Sequence, residues 1–350
     1  FSLNEIKIIF YYKNFGMFTD YEEDTYYQSL FLDKYEKLEQ EIKGLKEAKE
    51  RLKQKLDYLA TKAEGASCKM GVDLGVLSLL RCLKCGEQLT LQDGSIYRNQ
   101  ILEGKFACDC GEEYLIDSGI LMVGEPVQLR SGFISANYIL EYIHGTDLDY
   151  LENLHKGLHW SKRKMDQVDL HHKVLLELGT GVGFFLRNFY QELPDDCLYI
   201  AVDRNLERHQ FLKRVLEKAG SKKRILFICS DFLEIPIQNH SIDLVIDHSG
   251  TSNYSFEHEE FLLREVDSLV KEDCYLLGSY FGFKNFSPKS KIEPKYRDNF
   301  TISKIKRKLS ELKYLPLEER TSEYINQGGK YENFFVQGEE ICFYAFFGKR

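Results

Sequence analysis

The sequence lacks several things, and each absence narrows the reading. Among its 350 residues no apolar run approaches the roughly 20 residues that a membrane-spanning helix requires. No secretory leader is visible at the start. There is no excess of positive charge: 47 Lys and Arg stand against 55 Asp and Glu, a net charge of −8. The chain as a whole is therefore not a nucleic-acid binder on charge alone. It also lacks an initiating Met, since the first residue is Phe1; the expectation is that further residues precede it. What is present is ordinary for a globular protein, with 43% hydrophobic and 29% charged residues. The length allows two or three domains and a sizeable core. Cys68, Cys197, Cys229, Cys274 and Cys342 are scattered, several of them inside apolar runs. Thiols of that kind read as core residues of a protein in a reducing compartment, here the cytoplasm.

The first segment, residues 1–66, is expected to be helical. Phe31, Tyr35, Leu38, Ile42, Leu45, Leu52, Leu56 and Leu59 alternate spacings of four and three, with Lys49 at the one slot that breaks the series. Sustained three-four spacing with charged flanks predicts a coiled coil and a homodimer through residues 31–60. A single long helix packed on its own chain is the alternative. "FSLNEIKIIF" ahead of this helix resembles the region after the winged helix in MerR-type transcription regulators. The resemblance implies that residues 1–66 close such a module. DNA would then be bound only through a part of the protein outside this sequence.

The second segment, residues 78–128, holds "CLKC" (Cys82, Cys85) and "CDC" (Cys108, Cys110). Two close pairs of thiolates can build a tetrahedral zinc cage, and four cysteines leave no open position for chemistry. "QDGS" between the pairs reads as a hairpin turn. "CDCGEEYLIDSGILMVGE" resembles the small zinc-ribbon module associated with some methyltransferases. It departs from that module in having one spacer residue in the second pair, so a ribbon held by packing without metal stays open.

From residue 129 two stretches read as a helical cap, with His155, His159 and Trp160 as packing or surface positions or as part of a pocket wall. From Lys173 strands and helices alternate. "KVLLEL", "CLYIAVD", "RILFICSD", "IDLVIDHS" and "CYLLGSYF" are strands. "NLERHQFLKRVLEKAG", "EEFLLREVDSLVKE" and "TISKIKRKLSEL" are helices, and "EICFYAFFGK" is a closing strand. This is an α/β pattern: a doubly wound, mostly parallel, Rossmann-like sheet with its ligand site at the strand C-termini.

"VLLELGTGVGFF", residues 174–185, sets the ligand. A dinucleotide fingerprint needs G-x-G-x-x-G. Here Gly179, Gly181 and Gly183 alternate, Phe184 follows, and Glu177 precedes. A carboxylate at that place suits a ligand with an amino group rather than a pyrophosphate. E-x-G-x-G-x-G after the first strand is similar to class I S-adenosylmethionine-dependent methyltransferases, and the resemblance extends over residues 129–350. It implies S-adenosylmethionine as cofactor, held by the backbone of Gly179, Thr180, Gly181 and Gly183 and oriented by Glu177. Asp203 with Arg204 would stand at the ribose, Asp231 and Phe232 at the adenine, and Asp247 near donor or acceptor. Base-modifying amino methyltransferases often carry Asp/Asn-Pro-Pro-Tyr/Phe after the fourth strand. "DHSGTSNYS" stands there instead, leaving His248 as a candidate base or a packing residue. The basic stretch at residues 284–308 could meet an anionic acceptor or RNA, or form a solvated face. Two readings follow: a working methyltransferase, with a small molecule favoured over RNA as acceptor, or a regulator that uses the domain as a ligand sensor without turnover.

Overall fold

The computed structural model describes residues 1–15, 25–63, 69–125, 138–220 and 223–350. Cys68 lies outside the described residues. The chain divides into two compact units, Phe1–Ala66 and Ser67–Arg350. Among the described residues no helix is long and apolar enough to cross a membrane.

The first unit contains α1 (Leu3–Phe15) and α2 (Thr25–Ala63). A reciprocal cap starts α1: the Glu5 amide donates to Ser2 Oγ, and the Ser2 amide donates to the Glu5 carboxylate. At 39 residues, α2 is roughly 58 Å long at the standard helical rise. Phe31, Tyr35, Leu38, Ile42, Leu45, Leu52 and Leu56 are exposed along it. The three-four stripe therefore faces solvent.

The second unit is built on one mixed sheet. Its first strands are β1 (Val72–Asp73), β2 (Thr90–Tyr97), β3 (Gln100–Ala107), β4 (Glu113–Asp117) and β5 (Ile120–Met122). Helices α3 (Tyr138–Gly145) and α4 (Leu148–Met165) follow. Then come β6 (Val174–Leu178), α5 (Phe184–Phe189), β7 (Leu198–Asp203), α6 (Leu206–Lys218), β8 (Arg224–Cys229), β9 (Ile242–His248) and α7 (Gly250–Tyr254). The chain ends with α8 (Leu262–Glu265), β10 (Val270–Phe283), α9 (Ile302–Glu311), β11 (Leu315–Thr321) and β12 (Ile341–Lys349). The strand order is β1-β3-β4-β5-β8-β7-β6-β9-β10-β12-β11, with β2 on β3.

Four features differ from the sequence reading. The sheet is parallel only at its centre, from β5 to β10, and antiparallel on both flanks. The flanking strands β2, β3, β4 and β5 are joined by tight turns, which can only produce antiparallel neighbours. "QDGS" lies inside β2; the turn is at Arg98–Asn99, both with left-handed φ (48° and 66°), the geometry a two-residue hairpin requires. The helix expected over "EEFLLREVDSLVKE" is short, because Val270 pairs with Ile242 and the sheet takes the chain over. Finally, β5 pairs in parallel with β8, Ile120 with Phe227 and Met122 with Cys229. The sheet thus runs unbroken across the expected boundary at residues 128 and 129.

The two faces of the sheet carry separate apolar cores. One holds Leu80, Phe106, Leu176, Val245, Tyr280 and Leu309. The other holds Trp160, Leu175, Phe185, Tyr199, Leu212 and Ile246. Trp160 is a core residue whose indole N–H donates to Glu318 at 2.8 Å, while His155 and His159 are exposed.

Candidate active site

The continuous apolar run of β6 is buried on both faces, as a central parallel strand must be. Where it ends, the chain turns through Gly179, Gly181 and Gly183, with φ of 71°, 57° and 77°. The amides of Gly179 and Thr180 both donate to the Val202 carbonyl at 3.0 Å, tying the loop to β7. Gly183 opens α5, and a Cβ there would lie 2.3 Å from Leu212 Cδ1. The position combines left-handed backbone with close helix packing, so it requires glycine.

Asp203 closes β7 and is buried. Its Oδ2 accepts the Gly181 amide and its Oδ1 the Asn205 amide, each at 2.8 Å. The Arg208 guanidinium stands 3.8 Å away. Glu177 sits behind the loop, buried, accepting the Tyr199 hydroxyl at 2.8 Å. Burial pushes its carboxyl up to about 7, against the opposing hydrogen bonds of Tyr199 and Thr180.

A cleft of about 310 Å³ opens over these strand ends, within the ~300–1,000 Å³ usual for small-molecule sites. Gly179, Asp203, Arg204, Arg208, Asp231 and Phe232 line one side; Asn253, Tyr254, Phe256, Glu257 and His258 line the other. The Phe232 ring meets Tyr254 edge-on at 6.2 Å, and Tyr254 stacks on His258 at 3.9 Å. Arg204 and Glu257 face each other at 3.9 Å. The cleft so unites Gly179, Asp203, Arg204, Asp231 and Phe232 from three separate stretches of sequence. Sequence reasoning missed Arg208, Asn253, Tyr254, Phe256, Glu257 and His258. Their signal was only positional: they follow the strand ends where α/β ligand sites lie.

Glu177, Thr180, Gly181 and Gly183 belong to the strand end and loop beside the cleft and not to its lining, and two further expected residues lie elsewhere. Adjacent positions on a strand point to opposite faces, and this separates Asp247 from His248. Asp247 is fully buried under α7, where its Oδ1 accepts the Thr251 amide at 2.8 Å. Its Oδ2 and the Tyr280 hydroxyl have no hydrogen-bond partner among the described residues. Burial pushes the Asp247 carboxyl up to about 6. It holds the helix that walls the cleft and does not line the cleft itself. His248 opens into a small cavity with Asn153, Gly157, Ser279 and Ala345, its ring 6.1 Å from Phe185. Burial pushes its imidazole down to about 4. Neither the position nor the basicity suits a general base for this cleft.

The four expected thiols converge. The sulfurs of Cys82, Cys85, Cys108 and Cys110 all lie within 4.8 Å of one another; a tetrahedral ion with ~2.3 Å bonds spaces its sulfurs ~3.8 Å apart. The short spacer of the second pair is absorbed by a tight turn: the Gly111 amide donates to the Cys108 carbonyl, and Gly111 has φ of 92°. Burial disfavours the Cys82 thiolate, yet the amides of Cys85 and Lys84 bring that thiol down to about 6. The donor set is soft, convergent and complete, and fits a closed structural ion.

Five of the nine basic residues at 284–308 form ion pairs. Lys284, Lys295, Lys304, Lys306 and Arg307 pair with Glu340, Glu293, Asp298, Glu319 and Glu311 at 2.5 to 3.9 Å.

Comparison with known proteins finds likenesses over part of the chain. Residues 170–335 match the model of a methyltransferase domain. Similar solved structures include a SAM-dependent methyltransferase from Aquifex aeolicus (18% identity, 54% of this chain and 88% of that one, TM-score 0.37). A SAM-dependent methyltransferase from Methanosarcina mazei is another (11% identity, 53% and 95%, TM-score 0.40). A third, from Geobacter sulfurreducens, was solved with S-adenosylhomocysteine (10% identity, 56% and 91%, TM-score 0.42). No curated protein matches the chain. Residues 170–335 are thus similar to a methyltransferase domain.

Proposed function

We propose that the chain binds S-adenosylmethionine in the cleft between the glycine loop and residues 253–258 and transfers its methyl group to a small-molecule acceptor. The observation that carries this is the convergence of Gly179, Asp203, Asp231 and Phe232 on one cleft at the strand ends of a methyltransferase domain. When bound, the cofactor supplies an electrophilic methyl group on a sulfonium.

The protein residues bind and orient. Gly179, Thr180, Gly181 and Gly183 let the ligand approach bare backbone. Both Asp203 oxygens already accept an amide, and each keeps lone pairs for a ribose hydroxyl. Asp231 is exposed at the cleft, free to meet the adenine amino group, with Phe232 and Tyr254 flanking the ring. Glu177 acts through Tyr199 and the loop rather than by contact. Arg204 guards the mouth opposite Glu257. Transfer proceeds by proximity and alignment, since His248, the base expected from the sequence, opens into a separate cavity.

Calorimetry tests the reading. S-adenosylmethionine and S-adenosylhomocysteine should both bind the wild type; a chain that binds neither refutes it. Turnover is then sought across amine, hydroxyl and RNA acceptors.

Three subsidiary proposals accompany it. A structural zinc ion sits on Cys82, Cys85, Cys108 and Cys110, and metal analysis should find one per chain. Two chains associate through residues 31–60, supported by the exposed stripe of α2. The protein works in a reducing compartment, supported by Cys197, Cys229, Cys274 and Cys342, all buried and unbridged. A second reading, the MerR-type regulator that senses ligand without turnover, is favoured by the capped α1 ahead of that long helix. Tight S-adenosylhomocysteine binding without turnover of any acceptor would select it.

A further inference from the structure

The segment after β8, residues 230–238, has two sides. One carries Asp231 and Phe232 into the cofactor cleft. The other is bonded to the cysteine ribbon. Leu80 and Ile237 form an isolated antiparallel bridge. The Arg81 amide donates to the Pro236 carbonyl at 2.9 Å, and the Gln238 amide to the Leu79 carbonyl at 2.8 Å. The Arg81 guanidinium donates to Gln238 Oε1 at 2.6 Å. Ile235 and Ile237 share a core with Leu80, Cys82 and Cys108.

The same segment also lines a cavity. Its volume is about 440 Å³, and Phe232, Leu233, Ile235 and Ile237 share it with the knuckle residues Cys82, Leu83 and Gly86. Core packing anchors Ile235 and Ile237, with Phe232 packed against the same core, and the bonds to residues 79–81 hold the far end of the segment at Pro236 and Gln238. The next residue along that backbone is Cys82, one of the four convergent thiols.

We propose that Arg81 and the ribbon are positioning elements of the cofactor cleft: a metal on the four cysteines fixes the backbone of residues 79–82, and through it Asp231 and Phe232, so metal and cofactor bind with positive cooperativity. The inference rests on the cofactor reading given above. Its physical basis is ordering. Without the metal the knuckle and the bonded segment sample more arrangements, and the cofactor must restrict them when it binds. With the metal in place that restriction is already made. Coupling between two sites is reciprocal, and typical strengths are about 5–150-fold.

The test uses the full chain. The dissociation constant of S-adenosylhomocysteine is measured on zinc-loaded and zinc-stripped protein, with circular dichroism as a control for folding. About a tenfold weaker affinity after stripping is expected. The reciprocal measurement is zinc affinity, read by equilibrium competition with a chromogenic chelator, which should rise about tenfold under saturating S-adenosylhomocysteine. Gln238→Leu removes the acceptor of the Arg81 guanidinium while leaving the thiols intact, and should shrink both effects together. Equal affinities with and without zinc, in a folded chain, overturn the inference and leave the cofactor reading standing. So does a zinc affinity unchanged by S-adenosylhomocysteine, which decides the matter if stripping unfolds the protein. No binding to the zinc-loaded chain overturns the cofactor reading and this inference with it.

Discussion

Asp203 holds Gly181: the carboxylate at the end of β7 accepts the amide at the centre of the glycine loop at 2.8 Å. One side chain therefore shapes the loop and faces the cleft. Asp203→Ala should lose both roles and weaken S-adenosylhomocysteine binding by more than a lost ribose contact alone, about 2–3 kcal/mol or 30–150-fold. Asp203→Asn keeps one acceptor oxygen and should fall between Ala and wild type. Calorimetry on the three proteins checks the order, and an Asn variant that binds like wild type would contradict it.

The buried Glu177 makes stability depend on pH. Its folded pKa, about 7, lies above the ordinary 4.5. The folded state thus holds a proton that the unfolded state has released over that window. Stability from this group is present at pH below about 4.5 and is lost as pH rises towards 7. Glu177→Gln keeps an oxygen for the Tyr199 hydroxyl and carries no charge. Its melting temperature should fall less than the wild type's between pH 5 and pH 8, as read by thermal denaturation. Parallel curves would show that Glu177 does not titrate in this window.

Two glycines with left-handed backbone separate strain from crowding. At Gly338, φ is 91° and a Cβ would meet nothing within 4 Å; at Gly183, φ is 77° and it would strike Leu212. Gly338→Ala should cost about 1 kcal/mol from backbone conformation alone. Gly183→Ala should cost about 2–4 kcal/mol, adding overpacking of the core. Urea denaturation measures both, and equal losses would mean that Leu212 yields freely.

The exposed stripe on α2 predicts self-association. Leu45→Asp with Leu52→Asp places charges at two core slots of the proposed coiled coil. Sedimentation velocity should show a dimer for the wild type and a monomer for the double variant. Lys49→Leu, which completes the apolar series, should tighten the dimer. A wild type that is monomeric at high concentration would refute the coiled coil.

The sequence made the central sheet legible because its strands are continuous apolar runs ending in Glu177, Asp203 and Asp247. It made the glycine loop legible because only glycine suits consecutive left-handed turns against packed neighbours. The four thiols were legible as a set because close pairs need little from the rest of the fold. The flanks were not. The turn at Arg98–Asn99 carries no glycine to announce it, and "QDGS" resembled a turn while its Gly94 lies in register with Gly104 inside a strand pair.

By itself, then, the amino-acid order determined the local matters: which stretches are strands, where the backbone must turn left-handed, which thiols stand in pairs. Tertiary structure decided what depends on facing. It turned Asp247 into the core and His248 away from the cleft, because strand neighbours point to opposite sides and nothing in the sequence says which side the ligand takes. It brought Tyr254 and His258 opposite Phe232. And it joined the ribbon to the segment bearing Asp231 through bonds between backbone groups that every residue carries, and that no sequence pattern can therefore mark.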